Sequence, residues 1–180
     1  SSACSNVAHS GGGIYVYDGQ ATVSGSTVFS NSASTGGGMV VRWGSLALTD
    51  TLVYGHSVSH GCGGIWVDNG SLAMNGSQVF DNSAAQDGGG MYVYNADATL
   101  RGTHVFSNAA GLDGGGIYLL ACTMTLSDTQ VLSNTAEQDG GGLFVRLGST
   151  TLTKTQISAN TADRWGGGML MDRGDATLAN

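Results

Sequence analysis

Residues 88–113 read Gly88-Gly89-Gly90-Met91-Tyr92-Val93-Tyr94-Asn95-Ala96-Asp97-Ala98-Thr99-Leu100-Arg101-Gly102-Thr103-His104-Val105-Phe106-Ser107-Asn108-Ala109-Ala110-Gly111-Leu112-Asp113, and this stretch decides the fold because the chain repeats it. The glycine triplet is followed by an aliphatic residue at Ile14, Met39, Ile65, Met91, Ile117, Leu143 and Met169, with one step of 25 residues and five of 26. Only the third copy departs, as Cys62-Gly63-Gly64. Self-similarity at this period is the mark of a solenoid, in which each repeat buries its apolar face against its neighbours.

Within each copy, three short segments alternate apolar and polar residues, each the length of a strand. The first is Met91-Tyr92-Val93-Tyr94, the second is like Ala21-Thr22-Val23-Ser24, and the third is like His104-Val105-Phe106-Ser107. Glycine or a small polar residue separates them, as at Gly19, Gly44, Gly70, Gly148 and Gly174, and again at Gly25, Gly76 and Gly102. The pattern predicts an all-β chain, a single-stranded parallel β-helix of seven coils with three strands per coil. The coils run 1–25, 26–50, 51–76, 77–102, 103–128, 129–154 and 155–180 in one domain. The expected context is a longer surface protein, of which the domain is a segment or a filament subunit.

The alternation assigns the inward columns. The first comprises Val16, Val41, Val67, Val93, Leu119, Val145 and Met171; the second comprises Val23, Leu48, Met74, Leu100, Leu126, Leu152 and Leu178. Val28, Val53, Val79, Val105, Val131 and Ile157 form the third. After the third strand stands a corner column of Asn6, Asn31, His56, Asn82, Asn108, Asn134 and Asn160. Asparagine tolerates a left-handed corner, and its amide can donate to the same amide one coil on, about 4.8 Å away. This predicts an internal structural ladder, with His56 as one rung.

The triplet together with an aliphatic-x-x-Asn-x-Ala corner, as in Val28-x-x-Asn31 and Ile157-x-x-Asn160, resembles the repeats of the chlamydial polymorphic outer-membrane proteins and related bacterial β-helix passengers. Their hallmarks are a Gly-Gly-small-aliphatic motif and Phe-x-x-Asn. Here Val or Ile replaces the Phe. The resemblance covers nearly the whole chain and implies a right-handed β-helix at the cell surface, used for adhesion or self-association.

The 180 residues include 31 glycines, no proline and a net charge of -7, with Lys154 the only lysine. This argues against a nucleic-acid surface. No stretch is long and apolar enough to span a membrane as a helix. Low charge with abundant Ser, Thr, Asn and Gly suits an extracellular or cell-surface setting. Cys4, Cys62 and Cys122 fall two repeats or more apart and at different phases, so no disulfide follows from them.

The position after the triplet's aliphatic residue is expected to face outward, and it holds Tyr15, Val40, Trp66, Tyr92, Tyr118, Phe144 and Leu170. An apolar band of this length reads as a contact surface for another copy of the chain, or for a host or matrix glycan or protein. Phe29, Tyr54, Phe80, Phe106 and Leu132 repeat the theme on the third strand. The second strand carries Thr22, Thr99, Thr125, Thr151 and Thr177, an array like those of ice-binding solenoids, interrupted by Ala47 and Ala73. Asp87, Asp113 and Asp139 precede three successive triplets, where calcium could relieve their repulsion. Arg42 with Asp68, and Arg146 with Asp172, share a phase in adjacent coils and are expected to pair. The short, uniform corners wall no cleft and gather no acid and base pair, so the expectation is a non-catalytic protein without a cofactor. The alternative is a carbohydrate-binding or polysaccharide-cleaving module; an ice binder is third.

Overall fold

The computed structural model describes all 180 residues. The chain winds into a right-handed parallel β-helix of about seven coils. Its three main sheets each have seven strands stacked in coil order. The first face runs from Ile14–Tyr17 to Met169–Asp172, the second from Gln20–Ser24 to Asp175–Ala179, and the third from Ser2–Cys4 to Gln156–Ser158. Every strand pairs in parallel with its counterpart one repeat away, as Met91 with Ile65 and Ile117. The 25- or 26-residue period is therefore the sheet register itself.

Short strands between the third and first faces, at the Asn corner, form two further sheets. They are four residues long in the first two coils, Val7–Ser10 beside Ser32–Thr35, and two residues long from Ser57–Val58 to Thr161–Ala162. Alternation could not reveal the shorter ones, because two residues carry no period.

Left-handed backbone turns the chain at four places per coil: in one coil at Asp81, Gly88, Asn95 and Gly102, with φ of 52°, 69°, 45° and 53°. The corner asparagines themselves are not left-handed. The residue before each of them is, at Ser30, Asp81, Ser107 and Ser133. This corrects the expected role of the Asn backbone: the preceding residue bends the chain, and the bend swings the amide inward. Non-glycine residues at such angles cost about 1–2 kcal/mol each. The corners hold them by hydrogen bonding to the next coil, as from Asn69 N to Tyr94 O at 3.0 Å and Asn95 N to Leu120 O at 3.0 Å.

At the triplet, two different constraints require glycine. Gly88 has φ of 69°, whereas a Cβ on Gly89 would sit 2.5 Å from the Gly115 carbonyl oxygen, and one on Gly90 2.6 Å from that of Gly116 and 2.9 Å from the Asn108 amide. In the third coil the left-handed residue is Gly61 rather than position 62, so Cys62 keeps its side chain in an ordinary backbone conformation.

All three predicted inward columns are buried through the middle coils. The second face also buries Leu46, Leu72, Ala98, Met124 and Thr150. That column varies too much in residue type to stand out in the sequence. Thr150 is its only polar member of the five, and its Oγ1 has no hydrogen-bond partner within the protein. A sealed, unpaired hydroxyl is destabilising, and valine has nearly the same shape. Thr150→Val should raise the unfolding free energy by about 1 kcal/mol, seen as a higher urea midpoint with an unchanged slope.

Candidate interaction surface

The corner amides form the expected ladder. Asn82 Nδ2 donates to Asn108 Oδ1 at 3.0 Å, Asn108 Nδ2 to Asn134 Oδ1 at 3.0 Å, and Asn134 Nδ2 to Asn160 Oδ1 at 2.9 Å. Each Oδ1 also accepts the backbone N–H of the preceding rung, and each Nδ2 donates to a valine carbonyl such as Val79 or Val105. Asn6 donates to Asn31 in the same way at 2.9 Å. His56 copies the chemistry with a ring. Its Nδ1 accepts the Asn31 N–H at 3.1 Å, as Oδ1 would, and its Nε2 lies 3.2 Å from the Val28 carbonyl, where Nδ2–H would donate. This network assigns the neutral tautomer with the proton on Nε2.

The first-face column lies differently from expectation. Tyr15 is exposed, but Val40, Tyr118 and Phe144 are buried, and Trp66, Tyr92 and Leu170 are half-buried. The correction has a physical cause. The corner before each triplet folds back beside this column, so that Cβ atoms on Gly36, Gly114 and Gly140 would collide with Val40, Tyr118 and Phe144. The column thus lines a groove rather than a bare band. Inside it Tyr92, Tyr118 and Phe144 stack with centroids 4.9 and 5.0 Å apart. Burial raises the Tyr118 pKa against the opposing effect of Arg146. The third-face rings Phe29, Tyr54, Phe80 and Phe106 stack at 5.4, 4.7 and 4.8 Å and stay half-buried.

Apart from Tyr15 and Trp165, the exposed rings lie along the edge between the first and second faces. Tyr17 is 63% exposed, Trp43 51% and Tyr94 40%. Tyr17 meets Trp43 edge-to-face at 5.6 Å, and the Arg42 guanidinium lies over the Trp43 ring at 5.4 Å. Here the two expected ion pairs also form, Arg42 to Asp68 at 2.8 Å and Arg146 to Asp172 at 2.7 Å. The sequence carried a signal for this edge in Tyr17, Trp43 and Tyr94, but the contact of Tyr17 with Trp43 depends on the corner path.

The aspartate column has a hydrogen-bonding task. Asp87 Oδ1 accepts the Asp113 N–H, Asp113 Oδ1 the Asp139 N–H, and Asp139 Oδ1 the Trp165 N–H, each at 3.1 Å. Arg164 caps the column at Asp139 Oδ2, 2.8 Å away. Burial raises the pKa of Asp87 and Asp113, and the donated amides lower it. One coil separates successive carboxylates, so they do not converge, and no three His, Cys, Asp or Glu side chains cluster to hold a metal ion.

A further ladder escaped the sequence reading. Thr51, Ser77, Thr103, Thr129 and Thr155 turn their hydroxyls inward, donating to carbonyls such as Thr49 at 2.9 Å and Ser127 at 2.9 Å. Its signal was present as Ser or Thr at one phase of every coil. The outward threonines Thr99, Thr125, Thr151 and Thr177 are neighbours in register on the second face.

Stacked parallel coils with laddered corners define a parallel β-solenoid. Over residues 2–124 the chain matches the family model described as right handed beta helix region, and it belongs to that family. No curated protein and no solved structure matches it.

Burial lowers the His56 pKa below its ordinary value, with the Asn31 and Val28 backbone bonds opposing. The unfolded chain therefore binds the proton first. The stability contribution is complete above about pH 6.5 and is lost as pH falls through the folded pKa. His56→Asn should remove that part of the pH dependence and fold at least as stably as the parent at pH 7.5, whereas His56→Ala should cost about 2 kcal/mol; urea unfolding at pH 7.5 and 5.0 measures both. The Cys62 thiol, buried and bonded to the Ile65 carbonyl at 3.1 Å, is pushed up to about 12, and burial also raises Cys122. A thiol reagent should label Cys4 in the folded chain and reach Cys62 and Cys122 only in denaturant.

Proposed function

We propose that this chain is a non-catalytic structural and adhesive solenoid, acting at the cell surface or outside the cell and associating with other copies of itself or with host or matrix glycans and proteins. The observation that carries the reading is the exposed aromatic edge of Tyr17, Trp43 and Tyr94, flanked by Arg42. Aromatic rings beside arginine are the residue types that anchor interfaces, and exposed rings gathered on one edge are costly to leave without a partner. The resemblance of the triplet and corner motifs to surface passenger repeats supports the same setting.

Family membership is compatible with another reading. Domains of this family occur both in non-enzymes and in polysaccharide-degrading enzymes, and fold alone does not select between them. A carbohydrate-binding or carbohydrate-cleaving module is favoured instead if the chain binds a glycan array through Trp66 and Tyr92, or releases reducing ends from a polysaccharide.

Sedimentation velocity over a hundredfold concentration range should show reversible association of the chain. Tyr17→Ser combined with Trp43→Ser should weaken it by about tenfold, the loss expected from two interface rings. A parent chain that stays monomeric at every concentration and retains no surface glycan or matrix protein would sink the adhesive reading.

A further inference from the structure

The first-face groove contains an aromatic ladder with one rung missing. Tyr92, Tyr118 and Phe144 stack in successive coils, and Trp66 meets Tyr92 edge-on at 5.7 Å. The next coil offers Val40 in the same register, and the one beyond offers Tyr15. Val40 is 1% exposed and ends below the height of the rings. A cavity of 250 Å³ lies over this position, lined by Tyr15, Trp66 and the covered Val40 together with His9, Ser10, Thr35 and Arg42.

Its dimensions follow from the sheet. Tyr15 and Trp66 stand two strand spacings apart, about 9.6 Å. A flat ring midway would lie about 4.8 Å from each, close to the 4.9 and 5.0 Å that this column uses at Tyr92, Tyr118 and Phe144. The volume suits one ring, below the several hundred Å³ of sites for larger ligands. Aromatic side chains on two sides of the cavity favour a planar π-system over a puckered sugar.

The rim supplies the polar half of the recognition. Among the lining residues Arg42 is the only fixed charge, and there is no carboxylate. Asp68 engages Arg42 through Nε at 2.8 Å, which leaves the terminal amino groups as further donors. The corner is one residue shorter in the first two coils, from Asn6 to Ile14 and from Asn31 to Met39, than from His56 to Ile65 onward. The longer strands of the first two coils set Ser10 and Thr35 beside the slot. Trp66 Nε1–H is buried without a partner. A second cavity of 140 Å³, bounded by Gly61, Gln86, Asp87 and Tyr92, lies against the same indole.

We propose that this slot binds a planar, single-ring aromatic acid, which completes the ladder between Tyr15 and Trp66 and directs its carboxylate to Arg42. The proposal is independent of the adhesive reading, since it concerns a slot within one chain and is measured on dilute protein.

The test is titration of benzoate into the ¹⁵N-labelled chain, following the Trp66 indole N–H signal, with cyclohexanecarboxylate and glucuronate as comparators of equal charge without a π face. Benzoate should give a saturable shift at Trp66, and each comparator should bind at least about tenfold more weakly, the value of one aromatic stacking contact. Val40→Phe should build the missing rung covalently, raising the melting temperature and abolishing the shift. Tyr15→Ala, which removes an exposed wall and leaves the core intact, should weaken benzoate by about tenfold even if the Phe variant fails to fold. The proposal is overturned if benzoate gives no saturable shift, if either comparator binds as tightly, or if Tyr15→Ala binds as the parent does.

Discussion

In-register hydrogen bonding between one coil and the next is the constraint on which everything else in this molecule depends. No coil has a core of its own, so each residue is held by the residue one repeat before and after it. The ladder does not stop at the strand ends. It continues through the corners, where backbone amides of left-handed residues bond to the next coil, and into the interior, where Asn amides and Thr hydroxyls repeat the spacing with side chains. A corner that would be strained in isolation is thereby fixed on both sides.

The column, rather than the segment, is consequently the unit in which substitutions are tolerated. His56 fits an asparagine column because its two ring nitrogens reproduce an acceptor and a donor at nearly the right separation. Cys62 fits a glycine column because the left-handed turn moves one residue upstream, to Gly61. Thr150 fits a core column by shape alone and leaves its hydroxyl unpaired. Val40 fits an aromatic column by leaving a cavity. Distinct chemistry arises at these departures, because a perfect column presents the same surface at every coil.

Much of the architecture was legible in the residues. The period is the register, since a coil must return the chain to the same phase. Alternation marks the buried columns, since successive side chains on a strand take opposite faces. The amide ladder and the Arg42 and Asp68 pair followed from shared phase one repeat apart, which in a solenoid means contact. The two-residue ladder was too short to show a period, and the hydroxyl ladder looked like ordinary turn chemistry.

What the sequence by itself determined is which residues are neighbours, because in a stacked helix neighbourhood is repeat arithmetic. What only the tertiary structure decided is which of them meet solvent. Tyr118 and Tyr94 are both outward candidates on the first face, yet the first is covered and the second exposed. The difference lies in the path of the glycine corner, which folds over one side of the sheet and leaves the other edge open. The flanking corners, too, depend on left-handed turns at residues as different as Asp81, Asn95 and Ala121. Asp and Asn tolerate such angles locally, but at Ala121 the angle is imposed by the coils above and below, and no local sequence preference announces it.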